Sequence, residues 1–223
     1  MRIAINGACG RMGQTVARLA GEGGVEVAEL IDAAGGPGVS RTLTQKVDAV
    51  IDFSTPEGAL ERLAECAKAG TPLVICTTGF SDSQKVRISE AAGRVPVLLA
   101  SNTSVGVNLL FKVVPEIARL LGKEYDLDIV ETHHRFKKDA PSGTARTLAE
   151  RIEAATGRKP NVHSVRSGDV VGEHRVILGT LGDSIEIVHR ASTRDIFARG
   201  ALVAAAWLAR AKPGLYSMLD VLS

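Results

Sequence analysis

Residues Arg2 to Asn6 read as a short buried strand that runs straight into Gly7-Ala8-Cys9-Gly10-Arg11-Met12-Gly13, after which Gln14 to Gly21 has helical character. Strand, glycine turn, helix is the most restrictive feature of the chain. Glycines there permit a tight turn, let backbone approach a pyrophosphate, and bring a helix against a sheet. The spacing is GxxGxxG; in the GxGxxG frame Ala8 takes the first glycine position, and an ordinary turn into a helix fits the motif by itself equally well. The same unit then repeats. Val25–Ile31 is a second strand, followed by Asp48–Phe53 with a helix over Glu57–Ala69. Pro72–Thr77 comes next, with a helix over Ser81–Gly93 capped by Ser81 or Asp82, and then Val95–Ala100. Apolar strands alternating with helices predict a doubly wound parallel sheet of the Rossmann type, an α/β fold.

In such a sheet ligands bind at the carboxyl ends of the strands. Asp32 ends the second strand about twenty residues past the glycine loop, where a carboxylate meets the ribose of a dinucleotide. A turn aspartate is the alternative for Asp32 alone; with the glycines it supports dinucleotide binding. Ala33 brings no cation for a 2′-phosphate, which leans towards NADH, although Arg11 or Arg41 leaves NADPH open. Thr77-Thr78-Gly79 and Ser101-Asn102-Thr103 also fall at strand ends, as candidates for the nicotinamide side or as ordinary turns.

The second half reads as α+β. A helix is expected over Val105–Leu121, a strand over Tyr125–Val130, and antiparallel strands at Val162–Arg166, Glu173–Leu178 and Ser184–His189, with a hairpin turn at Leu181-Gly182-Asp183. A last apolar helix covers Ala198–Ala211. Between these elements lies the stretch Glu131–Ala145, ETHHRFKKDAPSGTA, which gathers two histidines, an arginine and two lysines and then opens a helix at Ser142-Gly143-Thr144. A helix start offers unpaired N–H groups and the positive end of its dipole to an anion, and histidine and lysine can supply it with protons. A solvated basic turn is the competing reading of such a cluster.

Composition removes several function classes. A net charge of +2 over 223 residues, with aromatic residues at 4%, is not the profile of a nucleic-acid or anionic-membrane binder. Cys9, Cys66 and Cys76 are scattered and odd in number, so reduced thiols and a cytoplasmic setting are expected, with no signal peptide and no metal centre. His163, His174 and His189 lack metal-ligand spacing.

Taken together, GACGRMG, TTGF, SNTSVGVN, ETHHRFKKDAPSGTA, GDVVGEH and GLYSMLDVL, in that order, resemble the 4-hydroxy-tetrahydrodipicolinate reductase (dihydrodipicolinate reductase) family. The HHRxKxDAPSGTA block carries that resemblance most specifically. It implies NAD(P)H-dependent reduction of a cyclic unsaturated dicarboxylate in diaminopimelate and lysine biosynthesis, with another nicotinamide-dependent enzyme of a small carboxylate, such as an amino-acid dehydrogenase, as the alternative. It further implies His133 as proton donor/acceptor, Lys137 as a second donor, and His134, Gly143 and Thr144 at the substrate. Gly7, Ala8, Cys9, Gly10, Arg11, Met12 and Asp32 would hold the dinucleotide, with Cys76, Thr77, Thr78, Ala100, Ser101, Asn102 and Thr103 near its nicotinamide end. The implied domains are 1–103 with 195–223 for the dinucleotide, and 104–194 for substrate and for assembly into a homotetramer. This chain departs from the family pattern in Cys76, where glycine is common, and in shortened loops after Asp32 and between Asn161 and Glu173.

Overall fold

A computed structural model describes residues 1–223. In chain order the elements are β1 (Arg2–Asn6), α1 (Arg11–Glu22), β2 (Glu26–Ile31), β3 (Ala49–Asp52), α2 (Pro56–Ala69), β4 (Leu73–Ile75), α3 (Asp82–Ala92), β5 (Pro96–Leu99) and α4 (Val105–Leu121). There follow β6 (Asp126–His133), α5 (Gly143–Thr156), β7 (Asn161–Arg166), β8 (Gly172–Thr180), β9 (Asp183–Ala191), α6 (Asp195–Leu208), β10 (Gly214–Tyr216) and α7 (Met218–Val221). The chain divides into two compact units, Met1–Val105 with Asp195–Ser223, and Gly106–Arg194.

The first unit is a six-stranded, all-parallel sheet in the order β10-β5-β4-β3-β1-β2. Its four central strands β1, β3, β4 and β5 are buried almost end to end (Ile3, Ile5, Ile51, Leu73, Ile75 and Leu98 are fully enclosed), as a sheet covered on both faces requires. α1 and α6 pack on one face, α2 and α3 on the other. Local chemistry agrees with these elements. α2 begins at Pro56 with the Thr55 side chain accepting from Gly58 N–H and ends at a left-handed Gly70, while Ser81 and Gln84 form a reciprocal capping box at α3. The chain adds β2 on one side of β1 and β3 on the other, and that reversal opens a crevice at the carboxyl ends of β1 and β3. The three-residue strand β10 was not expected from the sequence; at the sheet edge it is too short to show a period, and Tyr216 within it stands edge-on to Trp207 of α6 at 5.0 Å.

The second unit is a four-stranded sheet, β7-β6-β8-β9. One expectation is corrected here: Val162–Arg166 was read as antiparallel, but β7 pairs in parallel with β6, because the chain crosses back through α5 before entering it. β8 and β9 form an antiparallel hairpin through Gly182 in the left-handed region. β6 also runs three residues further than expected, to His133. Its burial alternates strictly, with Leu127, Ile129, Glu131 and His133 turned to the enclosed face. No helix is long and apolar enough to cross a membrane.

Candidate active site

The crevice of the first unit is shaped by glycine. Gly7 has φ +78, and a Cβ there would run into the carbonyl of Phe53; a Cβ on Gly13 would strike the carbonyl of Gly7. The loop therefore lies closer to β3 and α1 than any side chain would allow. Gly10 caps α1 without a side-chain hydrogen bond, so the first turn presents its backbone N–H groups at the loop. Asp32 sits beside them, its two oxygens accepting from Cys9 N–H at 3.0 Å and Ala34 N–H at 3.1 Å. Bare backbone, a helix start and a fixed carboxylate in that order fit a dinucleotide.

Met12, Cys76, Ala100, Ser101, Asn102 and Thr103, with Phe53 and Phe197, line a cavity of about 200 Å³. Sequence-expected residues from three strand ends are thus brought together. The Thr77 and Thr103 hydroxyls, however, point inward: Thr77 donates to Asp52 at 2.6 Å and accepts from Ser54 N–H, and Thr103 donates to the Phe197 carbonyl at 2.7 Å. Thr78 and Ser101 are exposed. Burial, and after it the charge of Asp52, pushes the Cys76 thiol well above the ordinary range, so it acts as a small apolar wall rather than a nucleophile.

In the second unit the site is assembled around Glu131. In a strand, residues two apart share a face, so Glu131 and His133 both point towards the enclosed side. The carboxylate is fully buried and takes donors from four residues, Arg166, His133, Ser142 and Ser164. Arg166 grips it with both terminal nitrogens (3.0 and 2.8 Å), His133 bonds through Nδ1, and Ser142 N–H donates at 3.2 Å. Burial alone would raise this carboxyl, but Arg166, Ser164 and His133 together hold it down at about 2.

Ser142 is the N-cap of α5, its hydroxyl accepting from Ala145 N–H at 3.2 Å, so Gly143 and Thr144 stand at the opening of the helix, with Gly143 exposed. Arg166 reaches further, to the Asp139 carbonyl at 2.6 Å and the Lys137 carbonyl at 3.3 Å, which ties the basic loop to β7. Lys137 is paired with Asp139 at 2.9 Å. His134 contributes its carbonyl to Lys137 N–H, while its buried Nδ1 has no partner and its ring lies 6.3 Å from that of the exposed Phe136.

His174 of β8 stands edge-on to His133, ring centroids 5.2 Å apart, and bonds the Ser142 hydroxyl through Nε2 at 3.2 Å. Burial, reinforced by the charge of His133, lowers it to about 4 and keeps it neutral. Burial also lowers His133 itself, partly offset by Glu131. Sequence reasoning missed Glu131, Arg166 and His174. The first was legible as the partner two residues before His133 in a strand; His174 closes the GDVVGEH motif, which by itself assigns it no role, and Arg166 of β7 leaves no local signal.

Comparisons with known proteins show the family and the fold. The family described as "Dihydrodipicolinate reductase, N-terminus" matches residues 1–103, and "Dihydrodipicolinate reductase, C-terminus" matches residues 106–222. A 4-hydroxy-tetrahydrodipicolinate reductase of Hahella chejuensis is 43% identical, covering 99% of this chain and 98% of the relative. One from Rubrobacter xylanophilus is 42% identical, covering 100% and 98%. The former alignment extends over 262 positions against the 223 residues here, so the relative carries segments this chain lacks. Among solved structures, a dipicolinate-bound dihydrodipicolinate reductase from Paenisporosarcina sp. TG-14 superposes with a TM-score of 0.86 over 100% of this chain and 99% of that one, at 24% identity, a likeness of fold. The chain belongs to the dihydrodipicolinate reductase family.

Proposed function

We propose that this chain catalyses reduction of 4-hydroxy-tetrahydrodipicolinate to tetrahydrodipicolinate, using a reduced nicotinamide dinucleotide, in diaminopimelate and lysine biosynthesis. The observation that carries the reading is the shared carboxylate of Glu131. It binds the ring of His133 and the backbone of Ser142, so a proton-transferring group and an anion-receiving helix start are held by one buried anchor. A substrate bearing two carboxylates matches the charge of that neighbourhood.

The nicotinamide, when bound, supplies the hydride. His133 gives the proton, and Lys137 is the second donor. His134 and the helix opening at Gly143 and Thr144 receive a carboxylate. In the first unit, Gly7, Ala8, Cys9, Gly10, Arg11, Met12 and Asp32 hold the dinucleotide. Cys76, Thr77, Thr78, Ala100, Ser101, Asn102 and Thr103 lie towards its nicotinamide end; Thr77 and Thr103 serve there through backbone, since their hydroxyls are engaged inward.

Residues 1–103 with 195–223 thus form the dinucleotide domain, and 104–194 the substrate and assembly domain. Ala33 after Asp32 favours NADH over NADPH. The sheet of the second unit leaves Val165 and Val188 exposed on its outer face, which supports a homotetramer built there. Free cysteines support a cytoplasmic protein.

The test is to supply purified protein with enzymatically generated substrate and NADH or NADPH in turn, following loss of the nicotinamide absorbance. Turnover with NADH at a higher kcat/KM than with NADPH is expected. No turnover with either would sink the reading, and equal turnover would remove the NADH preference.

A further inference from the structure

Neither Glu131 nor Gly172 is a reacting group, yet each lies beside one nitrogen of the His133 ring. Glu131 takes Nδ1, while Nε2 stands where a Cβ added to Gly172 would come within 3.1 Å of it. Gly172 has no left-handed backbone, so what glycine supplies here is room rather than conformation: an added methyl would press the ring back by a few tenths of an ångström.

We propose that Glu131, held by Arg166, and Gly172 are positioning residues that fix His133 with one proton permanently on Nδ1 and leave Nε2 as its sole proton-exchanging atom. This rests on the reading of His133 as proton donor and names the atom and the device.

An ionised carboxylate only accepts, and Glu131 is already bound on both oxygens by Arg166, so Nδ1 of His133 must carry hydrogen. The protonated ring then has its second hydrogen on Nε2. On transfer that proton goes to substrate, the N–H electron pair stays on Nε2, and the Nδ1 hydrogen and the Glu131 charge do not change.

The other groups facing the ring are consistent with a single exchanging atom. His174 from β8 is neutral and meets His133 with a ring edge, and His189 of β9 lies opposite His174. Ser142 from α5 turns its hydroxyl to His174 and Ala145, not to His133. Lys137 and Arg166 supply positive charge that opposes protonation of His133, and Glu131 supplies the negative charge that favours it.

The experiment is long-range ¹H–¹⁵N NMR on full-length protein labelled in histidine nitrogen, across pH. The His133 signal is assigned by its loss in His133→Ala, and kcat is measured alongside. In wild type the neutral His133 should be the Nδ1–H tautomer. In Glu131→Gln the amide turns its NH₂ to Nδ1, so the Nδ1–H form should disappear and the titration should move to lower pH, with kcat about a hundredfold lower. Gly172→Ala should keep the Nδ1–H signature but displace the ring, with a smaller fall in kcat and little change in dinucleotide affinity. An Nε2–H tautomer in wild type overturns the proposal, as does a Glu131→Gln protein with unchanged titration and turnover. If Glu131→Gln does not fold, the wild-type tautomer and Gly172→Ala decide it. Full turnover in His133→Ala would instead refute the proton-donor reading while leaving the tautomer result standing.

Discussion

Asp52 of the first unit and Glu131 of the second are both carboxylates without exposed surface, and both sit towards the carboxyl end of a strand. Their donors differ in charge. Asp52 accepts from Asn6 at 2.6 Å, Ser54 at 2.5 Å and Thr77 at 2.6 Å, all neutral donors, and burial outweighs them and raises its pKa. Glu131 accepts from a guanidinium and is held at about 2. At Asp52 the neutral donors satisfy the buried carboxyl without offsetting the cost of burying its charge, whereas the guanidinium beside Glu131 keeps that carboxylate ionised. One unit thereby gains a structural knot under its crevice, the other a permanent charge against which a histidine can be poised.

The sharpest way to break this contrast is through the chemistry the charge serves. Lys137→Ala should lower kcat by about two to four orders of magnitude, the usual share of a positioned acid, in a steady-state assay. Turnover within a few-fold of wild type would detach the basic loop from the reaction. Next comes stability. Glu131→Ala strands Arg166 in a largely enclosed site and should cost about 3–5 kcal/mol in urea unfolding, whereas Asp52→Asn keeps a hydrogen-bonding group among hydroxyls that can rotate and should cost about 1 kcal/mol. Equal losses would mean that the partner's charge does not matter.

Acid should also treat the two units differently. His174 is held at about 4, below its ordinary 6.5, so the unfolded chain binds that proton more tightly. The stability this group contributes is complete above pH 6.5 and is lost as pH falls towards 4, about 3 kcal/mol in all. Glu131, lowered from 4.5 to about 2, adds a second loss below pH 4.5. Asp52 works in the opposite sense: its raised pKa means the folded state takes up its proton more readily, and acidification favours the native form at that position. Hydrogen exchange between pH 7 and 4 should therefore show the second unit opening first, and His174→Gln should flatten that dependence. The smallest expected effects are at the caps. Thr55→Ala in the first unit should cost about 1 kcal/mol by thermal unfolding, and Ser142→Ala more than that, because Ser142 also receives His174.

Much of the first unit was legible because its signals are local: a glycine loop, apolar strands of buried type, and Ser81-Asp82 opening a helix. β10 escaped because three residues carry no period. The second unit was legible only in part. Its basic block announced itself, but its working parts are joined across 35 residues between Glu131 and Arg166 and 32 between Ser142 and His174, through register rather than motif. The parallel pairing of β7 is the same lesson, since direction depends on a crossover and not on the strand's own residues.

Gly172 has an implication for anyone randomising this protein. Any sensitivity to substitution there would look, in a deep mutational scan, like a demand of the main chain, though its backbone is not left-handed. The demand belongs to a ring on the next strand. Trimming that ring should unlock the glycine, so the two sites would register as an epistatic pair whose coupling comes from crowding.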